Sequence, residues 1–217
     1  PLFAPAWAWL GRCHRVIGKY EEDREGNSRR AAEAFGRALA LAPDLPVAHR
    51  FLTNLETEGG RADAAIARLL THAKVNRNDA QLFAALVHAC RYCGLLDASV
   101  AAHIRATQLD PAIATSVRHT YWLLGEHEHA LTGSGKFYFE AMVLASIGQS
   151  EKAIAHLREM ERMKRPELMQ NFVASLRLLL EGRRDESLAA AEYCMENFPD
   201  PEAVCYMARQ RVKLDER

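Results

Sequence analysis

The 217-residue sequence lacks any apolar run close to the roughly 18 residues that a membrane-spanning helix requires. Residues 1–10 also lack the charged start and the cleavage pattern of a secretory signal. Cysteine is sparse: five residues, an odd number scattered along the chain, do not resemble the framework of a small disulfide-stapled secreted domain. These absences predict a protein without a membrane segment, located in a reducing cytoplasm.

An excess of charge of either sign is absent as well. The formal net charge is +0, from 28 Lys and Arg against 28 Asp and Glu. No field of one sign therefore exists to attract nucleic acid or anionic lipid, so neither is expected as a partner. With 49% hydrophobic residues, the chain has enough apolar side chains to bury a substantial core.

A glycine recurs along the chain and is followed, five residues later, by a small residue. The glycines are Gly26, Gly60, Gly94, Gly125, Gly148 and Gly182, at intervals of 34, 34, 31, 23 and 34 residues. The small residues are Ala31, Ala65, Ser99, Ala130, Ala153 and Ser187. Glycine supplies the positive φ with which many helices end, and a small side chain lets a second helix pack closely on the first. The pattern predicts tight helical hairpins.

Around these positions the sequence resembles the tetratricopeptide repeat (TPR) family over nearly its whole length. Matching positions are Trp7, Leu10 and Gly11 in the first helix and Ala31, Phe35, Ala38 and Pro43 in the second. The resemblance implies an all-α fold, a right-handed α-α superhelix (solenoid) of about six helix pairs plus a C-terminal capping helix. A single domain over 1–217 is expected, with repeats at 4–45, 46–79, 80–111, 112–135, 136–165 and 166–199 and the cap at 201–217. Because the chain begins without Met and inside the first repeat, we interpret it as a fragment of a longer protein.

Two places depart from the regular repeat. Surplus residues within 19–28 are highly charged and contain Gly26, so they are predicted to form a loop insertion inside the first hairpin. The short interval before Gly148 removes most of a second helix, so the repeat at 112–135 is predicted to be degenerate, with a shortened helix from Ala112 to Leu124. Aromatic residues gather at this break, where they either fill the space of the absent helix or line an apolar ligand notch. They are Tyr121, Trp122, Phe137, Tyr138 and Phe139.

Motifs that carry chemistry are weak in this sequence. Cys90 and Cys93 form a CxxC, but no second CxxC or His pair follows at zinc spacing. His127 and His129 are two residues apart and would face different sides of a helix. The string at 130–137 echoes the end of a phosphate-binding loop, but Phe137 stands where that loop needs Ser or Thr. No catalytic residue, metal or cofactor is therefore expected, and we predict that the chain is not an enzyme.

The resemblance also implies a binding site, because the first helices of TPR arrays line a concave face. Mapping the ligand-facing positions of the family onto this chain predicts a mildly basic and partly aromatic groove. Its predicted partner-binding residues are Arg50, Asn54, His88, Arg91, Tyr92, His119, Trp122, Tyr138 and Met142. Such a groove suits a protein or peptide with an acidic side chain or a free carboxylate plus an apolar anchor.

Toward the C-terminus the equivalent positions are too apolar for a solvated groove. They are Phe172, Leu176, Leu179 and Leu180. The helix expected from Pro201 to Leu214 would cover them as a cap, and a homodimer contact through the C-terminal repeats is the alternative. As for function, the sequence predicts a non-catalytic protein–protein interaction scaffold. The alternative is a sensory or autoregulatory TPR segment of a larger bacterial signalling enzyme, a protein kinase or nucleotide cyclase, whose C-terminal arrays the repeats resemble.

Overall fold

A computed structural model describes residues 2–20, 23–132, 138–197 and 200–215. In those ranges the chain forms thirteen α-helices and no strand, so the predicted all-α fold built from helix pairs is confirmed. The helices are α1 (Ala4–Tyr20), α2 (Arg24–Leu41), α3 (Pro46–Glu58), α4 (Ala62–Val75), α5 (Ala80–Tyr92), α6 (Leu96–Leu109), α7 (Val117–Leu124), α8 (His127–Ala130), α9 (Tyr138–Ser146), α10 (Ser150–Glu161), α11 (Glu167–Leu180), α12 (Arg184–Asn197) and α13 (Pro201–Asp215). None of these described helices combines the length and apolarity needed to cross a membrane.

The chain divides into two compact units, residues 1–124 and 125–217. In unit 1, the first helices of successive pairs lie side by side, with α1 against α3, α3 against α5 and α5 against α7. Each second helix, α2, α4 or α6, packs against the first helices before and after it. In unit 2, α9 pairs with α10 and α11 pairs with α12. A single solenoid domain over 1–217 stays a prediction.

The closing glycines adopt the backbone conformation that the sequence predicts. Positive φ values of 72–81° are found at Gly60, Gly94, Gly125, Gly148 and Gly182. In four of these turns the residue after the glycine donates its N–H to a carbonyl five residues back, as Leu95 does to Cys90 at an N···O distance of 2.9 Å. This bond is the mark of a Schellman motif, which satisfies the free carbonyls at a helix end. The interval between these glycines in the sequence is therefore the interval between the ends of successive first helices.

The small residue five positions after each glycine is buried. All six of these side chains are 0% exposed. Where serine replaces alanine, its hydroxyl finds a fixed acceptor: Ser99 Oγ donates to Val87 O at 2.7 Å, and Ser187 Oγ donates to Ser175 O at 2.9 Å. Both acceptors lie twelve residues earlier, on the first helix of the same pair. A buried hydroxyl is tolerated here because it is hydrogen-bonded.

The predicted loop insertion at 19–28 is wrong. Its described residues extend both helices instead, since α1 runs to Tyr20 and α2 starts at Arg24, giving helices of 17 and 18 residues. Asp23 caps the start of α2: its φ of 55° is positive, and its carboxylate accepts the Gly26 N–H at 3.1 Å. Gly26 is buried in the first turn of α2 and does not close a helix. An Asp N-cap thus replaces the glycine turn, because Asp tolerates the left-handed conformation.

The helix predicted to start at Ala112 is also shorter than expected, since α7 starts at Val117. The Asp110 carboxylate accepts the Ala112 N–H at 3.0 Å and forms a turn around Pro111. The next residues, through Ser116, stay non-helical. α8 contains four residues, in keeping with the loss of most of a second helix from this pair. The predicted helix breaker at 133–135 lies outside the described residues.

Phe172, Leu176 and Leu180 of α11 pack on α9 and α10, so the expectation that the terminal helix is what covers the apolar positions is wrong for these three. That the terminal helix covers Leu179 stays a prediction. The rings of Tyr138 and Phe172 meet edge to face at a centroid distance of 4.9 Å, and Leu176 and Leu180 pack on the α9–α10 core. The capping helix α13 exists, but it packs mainly on α12. Its Met207 is fully buried, and its Gln210 Nε2 donates to Ser175 O at 2.8 Å.

Candidate protein-binding face

The first helices of unit 1 carry seven of the nine predicted site residues, on α3, α5 and α7. We call these seven positions the first-helix face: Arg50, Asn54, His88, Arg91, Tyr92, His119 and Trp122. Beside it, α1 is tied to α3 by two largely buried ion pairs. Glu58 Oε1 accepts Arg15 Nη1 at 2.5 Å and Lys19 Nζ at 2.9 Å. Beside the face, two cations of α1 therefore share one carboxylate of α3.

Arg50 is a half-buried cation whose acceptors are neutral. Its Nη1 donates to Gln81 Oε1 on α5 at 2.6 Å, and its Nη2 donates to the carbonyl of Ala114 at 2.7 Å. Among the described residues no carboxylate pairs with it. Burial lowers the pKa of Arg50 below its ordinary value, although a guanidinium stays charged at neutral pH. A partly desolvated charge without a counter-ion favours an anionic ligand.

The non-helical residues before α7 lie against the two arginines of the face. Arg91 Nη1 donates to Ser116 O at 3.0 Å and to Ser116 Oγ at 2.8 Å, while Arg50 holds the Ala114 carbonyl. The intervening Thr115 Oγ1 lies 2.9 Å from His103 Nδ1 on α6. The face thus already binds non-helical main chain, through guanidinium-to-carbonyl bonds spaced two residues apart.

Arg91 itself is a packed residue. It is 5% exposed, and its Nη2 lies 3.1 Å from His88 Nδ1. The His88 and Tyr92 rings lie 4.6 Å apart between centroids, and the Arg91 guanidinium carbon lies 5.7 Å from the Tyr92 ring centre. Arg91 therefore orders its two half-buried neighbours and holds Ser116. A partner reaches this guanidinium only if the Ser116 contacts open.

The other members of the face differ in accessibility. Asn54 is half-buried and lies one turn after Arg50 on α3, so the two side chains project from the same side of the helix. His119 on α7 is also half-buried. Trp122 is 8% exposed and belongs to the packed interior. The accessible centre of the face consists of Arg50 and Asn54 with His88 and Tyr92.

The remaining two predicted site residues, Tyr138 and Met142, belong to unit 2. Tyr138 is half-buried against Phe172, and Met142 is 9% exposed. Both lie on α9 and contribute to the packing of that unit. Their membership in a partner-binding surface stays a prediction.

The aromatic residues near the break belong to packed regions. Trp122 and Phe139 are buried, and Tyr121 packs on the core of α4, α5 and α6. Whether the cluster fills the space of the absent helix or lines a ligand notch stays a prediction. Phe137 lies outside the described residues.

The candidate thiol and imidazole sites give no reactive constellation. Burial raises the pKa of both Cys90 and Cys93. The nearby Cys93 thiol raises the pKa of Cys90 further, and the Asp63 carboxylate raises that of Cys93 further. Thiols with raised pKa values are poor nucleophiles at neutral pH. His129 Nδ1 lies 2.9 Å from Glu126 Oε2 at an exposed position. Over the described ranges, no group of three or more His, Cys, Asp or Glu side chains is placed to hold a metal ion.

The sequence did not predict the residues that accept hydrogen bonds from Arg50 and Arg91. Gln81, Ala114 and Ser116 were not predicted as site residues, because residues after Pro111 were expected to be helical. A signal for the non-helical stretch is present in the chain. Asp110 and Pro111 favour a turn, and the β-branched Ile113 and Thr115 weaken a helix start.

The helix pairs, closing glycines and buried small residues together define a helical-repeat protein of TPR-like architecture. By sequence, no protein family and no curated protein matches the chain. Among solved structures it is similar to a thermophilic TPR protein of Thermus thermophilus, with 18% identity, a TM-score of 0.42, and coverage of 96% of this chain and 99% of that one. It is also similar to pilF of Pseudomonas aeruginosa, with 13% identity, a TM-score of 0.41, and coverage of 89% and 76%. Likenesses of this size say nothing about function. The signalling alternative and the cytoplasmic location stay predictions.

Proposed function

We propose that the chain is a non-catalytic protein-interaction module that binds a peptide or partner domain on the first-helix face. The observation that carries the proposal is Arg50, a half-buried guanidinium with neutral acceptors. The ligand it favours is a carboxylate, either an acidic side chain or a free C-terminus. Asn54 lies beside Arg50 to accept or donate a second hydrogen bond, and Tyr92 offers aromatic surface for an apolar anchor.

A carboxylate of a partner can replace the Ala114 carbonyl as the hydrogen-bond acceptor of Arg50. Its bond to the Ala114 carbonyl is exposed to solvent. An ionised acceptor forms a hydrogen bond roughly twice as strong as a neutral carbonyl does, so a carboxylate competes well for Nη2. The bond to Gln81 fixes the other end of the guanidinium and keeps its fork oriented. Arg91 supports the same site by holding the backbone at Ser116.

A peptide-display selection tests this function. The 217-residue chain is screened against a library of peptides with free C-termini, beside an Arg50→Ala, Asn54→Ala variant. The control is Arg37→Ala, which removes an exposed arginine of α2, away from the face. We expect the wild type and the control to enrich the same carboxylate-bearing peptides. Losing one charge-assisted hydrogen bond costs about 1.5–3 kcal/mol, so the double variant binds them at least about tenfold more weakly.

Circular dichroism of each variant checks that the helices are intact. An Arg50→Lys variant separates charge from geometry, because an ammonium lacks the planar fork that spans Gln81 and the ligand. We expect it to recover only part of the binding. If the selected peptides bind the double variant with the same affinity as the wild type, this face is not the binding site.

A further inference from the structure

The non-helical residues 114–116 run across the first-helix face. Arg91 on α5 donates to Ser116, and Arg50 on α3, the first helix before it, donates to Ala114. The second of these contacts joins residues 64 positions apart in the chain. A short segment that precedes α7 thus reaches the two first helices before it and lies on both arginines of the face. We call residues 114–116 the strap.

The hydrogen bonds that hold the strap come from side chains. Within the described ranges, no main-chain carbonyl accepts an N–H from Ala114, Thr115 or Ser116. The strap is attached through the two arginines and through the contact between Thr115 Oγ1 and His103 Nδ1 on α6. Ala114 is exposed, and the other two residues are half-buried. Segments with exposed hydrogen bonds and little buried apolar surface open at a low cost in free energy.

The residues on either side of the strap are buried anchors. Ile113 is 9% exposed and packs on Ala84 and Ala106. Val117, the first residue of α7, is 6% exposed and belongs to the core of α4, α5 and α6. Apolar packing therefore fixes both ends of the strap, whereas polar contacts that water or a ligand can replace fix the residues between them. The strap can leave the arginines while the core stays intact.

We propose that the strap is an internal competitor for the partner site, which a partner displaces when it binds. The proposal rests on the function proposed above and adds its regulation. In the closed state the strap occupies Nη2 of Arg50 and covers Arg91, which is 5% exposed. In the open state both guanidinium groups face the partner. The strap itself shows the spacing of the ligand: a carboxylate for Arg50 and a second acceptor two residues away for Arg91.

An internal competitor lowers the apparent affinity for a partner by the fraction of molecules in which the strap is open. A neutral hydrogen bond favours the closed state by a factor of about 2–10. Thr115→Val removes the contact of the strap with His103 and keeps the β-branched shape of the side chain. It changes neither of the residues that accept from the arginines. The open fraction, and every property proportional to it, should therefore rise by about this factor.

Arginine labelling measures the opening of the strap without any ligand. The full chain is treated with phenylglyoxal, which modifies accessible guanidinium groups, and the rate at Arg91 is followed by mass spectrometry. We expect Thr115→Val to raise this rate about 2–10-fold. Thr71→Val is the matched control, because its hydroxyl is exposed and bonds within α4. Arg68, which pairs with Glu56, is the internal reference and should react at the same rate in all three proteins.

Binding then tests whether the strap competes with the partner. The probe is the carboxylate peptide enriched by the display selection, and its affinity is measured by calorimetry. We expect Thr115→Val to bind this peptide more tightly, by the same factor by which labelling of Arg91 accelerates. Thr71→Val should bind it as the wild type does. Agreement between the two factors is the specific signature of a competing strap.

The outcomes separate the strap from the proposed function. An unchanged labelling rate at Arg91 in Thr115→Val overturns the strap, whatever the peptides do. A peptide that requires Arg50 but binds Thr115→Val and the wild type equally overturns the strap and leaves the function standing. If the wild type enriches no peptide, the selection is repeated with Thr115→Val, Ser116→Ala. Peptides enriched by this variant alone support the strap, whereas none in either selection removes the proposed function and the competition with it.

Discussion

Adding one methyl group at Gly11 should destabilise the protein, although it replaces a helix-breaking residue with the best helix former. Gly11 lies inside α1 and is buried. A Cβ built there falls 2.6, 2.7 and 2.9 Å from three ring atoms of Phe35 on α2. The Phe35 side chain is 0% exposed, so the ring cannot move into solvent to make room.

The magnitude follows from two opposing terms. Alanine is favoured over glycine in a helix interior by about 1 kcal/mol. Overpacking a buried contact costs about 1–3 kcal/mol, because rings and backbone must shift. The net change for Gly11→Ala is therefore a loss of about 0–2 kcal/mol. Gly36→Ala on α2 isolates the helix-propensity term, since a Cβ at this position meets nothing within 4 Å. This variant should stabilise the protein by about 1 kcal/mol.

Urea unfolding followed by circular dichroism measures both variants. Because the two glycines lie in one helix pair, the difference between their effects reports the overpacking term alone, about 1–3 kcal/mol. Phe35→Leu in the Gly11→Ala background should recover part of the loss, since it removes ring atoms from the contact. If Gly11→Ala stabilises as much as Gly36→Ala does, the α1–α2 packing described above is wrong.

Three further predictions concern the turns, the histidines and the thiols. Gly94→Ala forces a Cβ into a φ of +72° and should cost about 1–2 kcal/mol by the same urea assay. Burial lowers the pKa of His49 below 6.5, with the Pro43 carbonyl opposing and His72 and Arg68 reinforcing the shift. The unfolded chain therefore binds this proton more readily, so thermal stability should fall as pH drops through about 6.5, and less steeply in His49→Gln. Thiol titration of the native chain should show that the exposed Cys13 and Cys205 react faster than Cys90 and Cys194, since Cys90 and Cys194 are buried and burial raises the pKa of Cys194 to about 12.

The repeat period was readable because it rests on backbone requirements. A positive φ strongly favours glycine, and a close helix contact needs a small side chain, so Gly94 and Ser99 mark their positions in any context. The first helix pair differs from its prediction because its turn does not use a glycine. Gly26 stands at the expected interval, but it lies in the first turn of α2, which Asp23 caps with its own side chain. The charged residues suggest a loop, whereas those up to Tyr20 belong to α1 and those from Arg24 belong to α2.

Only part of the candidate site can be predicted from the sequence. Helix periodicity correctly grouped Arg50 with Asn54 on α3, and His88 with Tyr92 on α5. Which arginine is accessible depends on non-local contacts that a repeat pattern does not encode. Arg91 is buried because Ser116, 25 residues later, accepts its hydrogen bonds. Arg50 stays half-exposed because its partner is a main-chain carbonyl at the surface.

The central claim is that Arg50 recognises a carboxylate on a partner, and a double-mutant cycle on one displayed peptide tests it most directly. The affinity of the selected peptide is measured by calorimetry with its carboxylate free and as the amide, against the wild type and against Arg50→Ala. We predict that amidation weakens binding to the wild type about tenfold or more and has little effect on binding to the variant. An equal loss on amidation in both proteins would contradict the account.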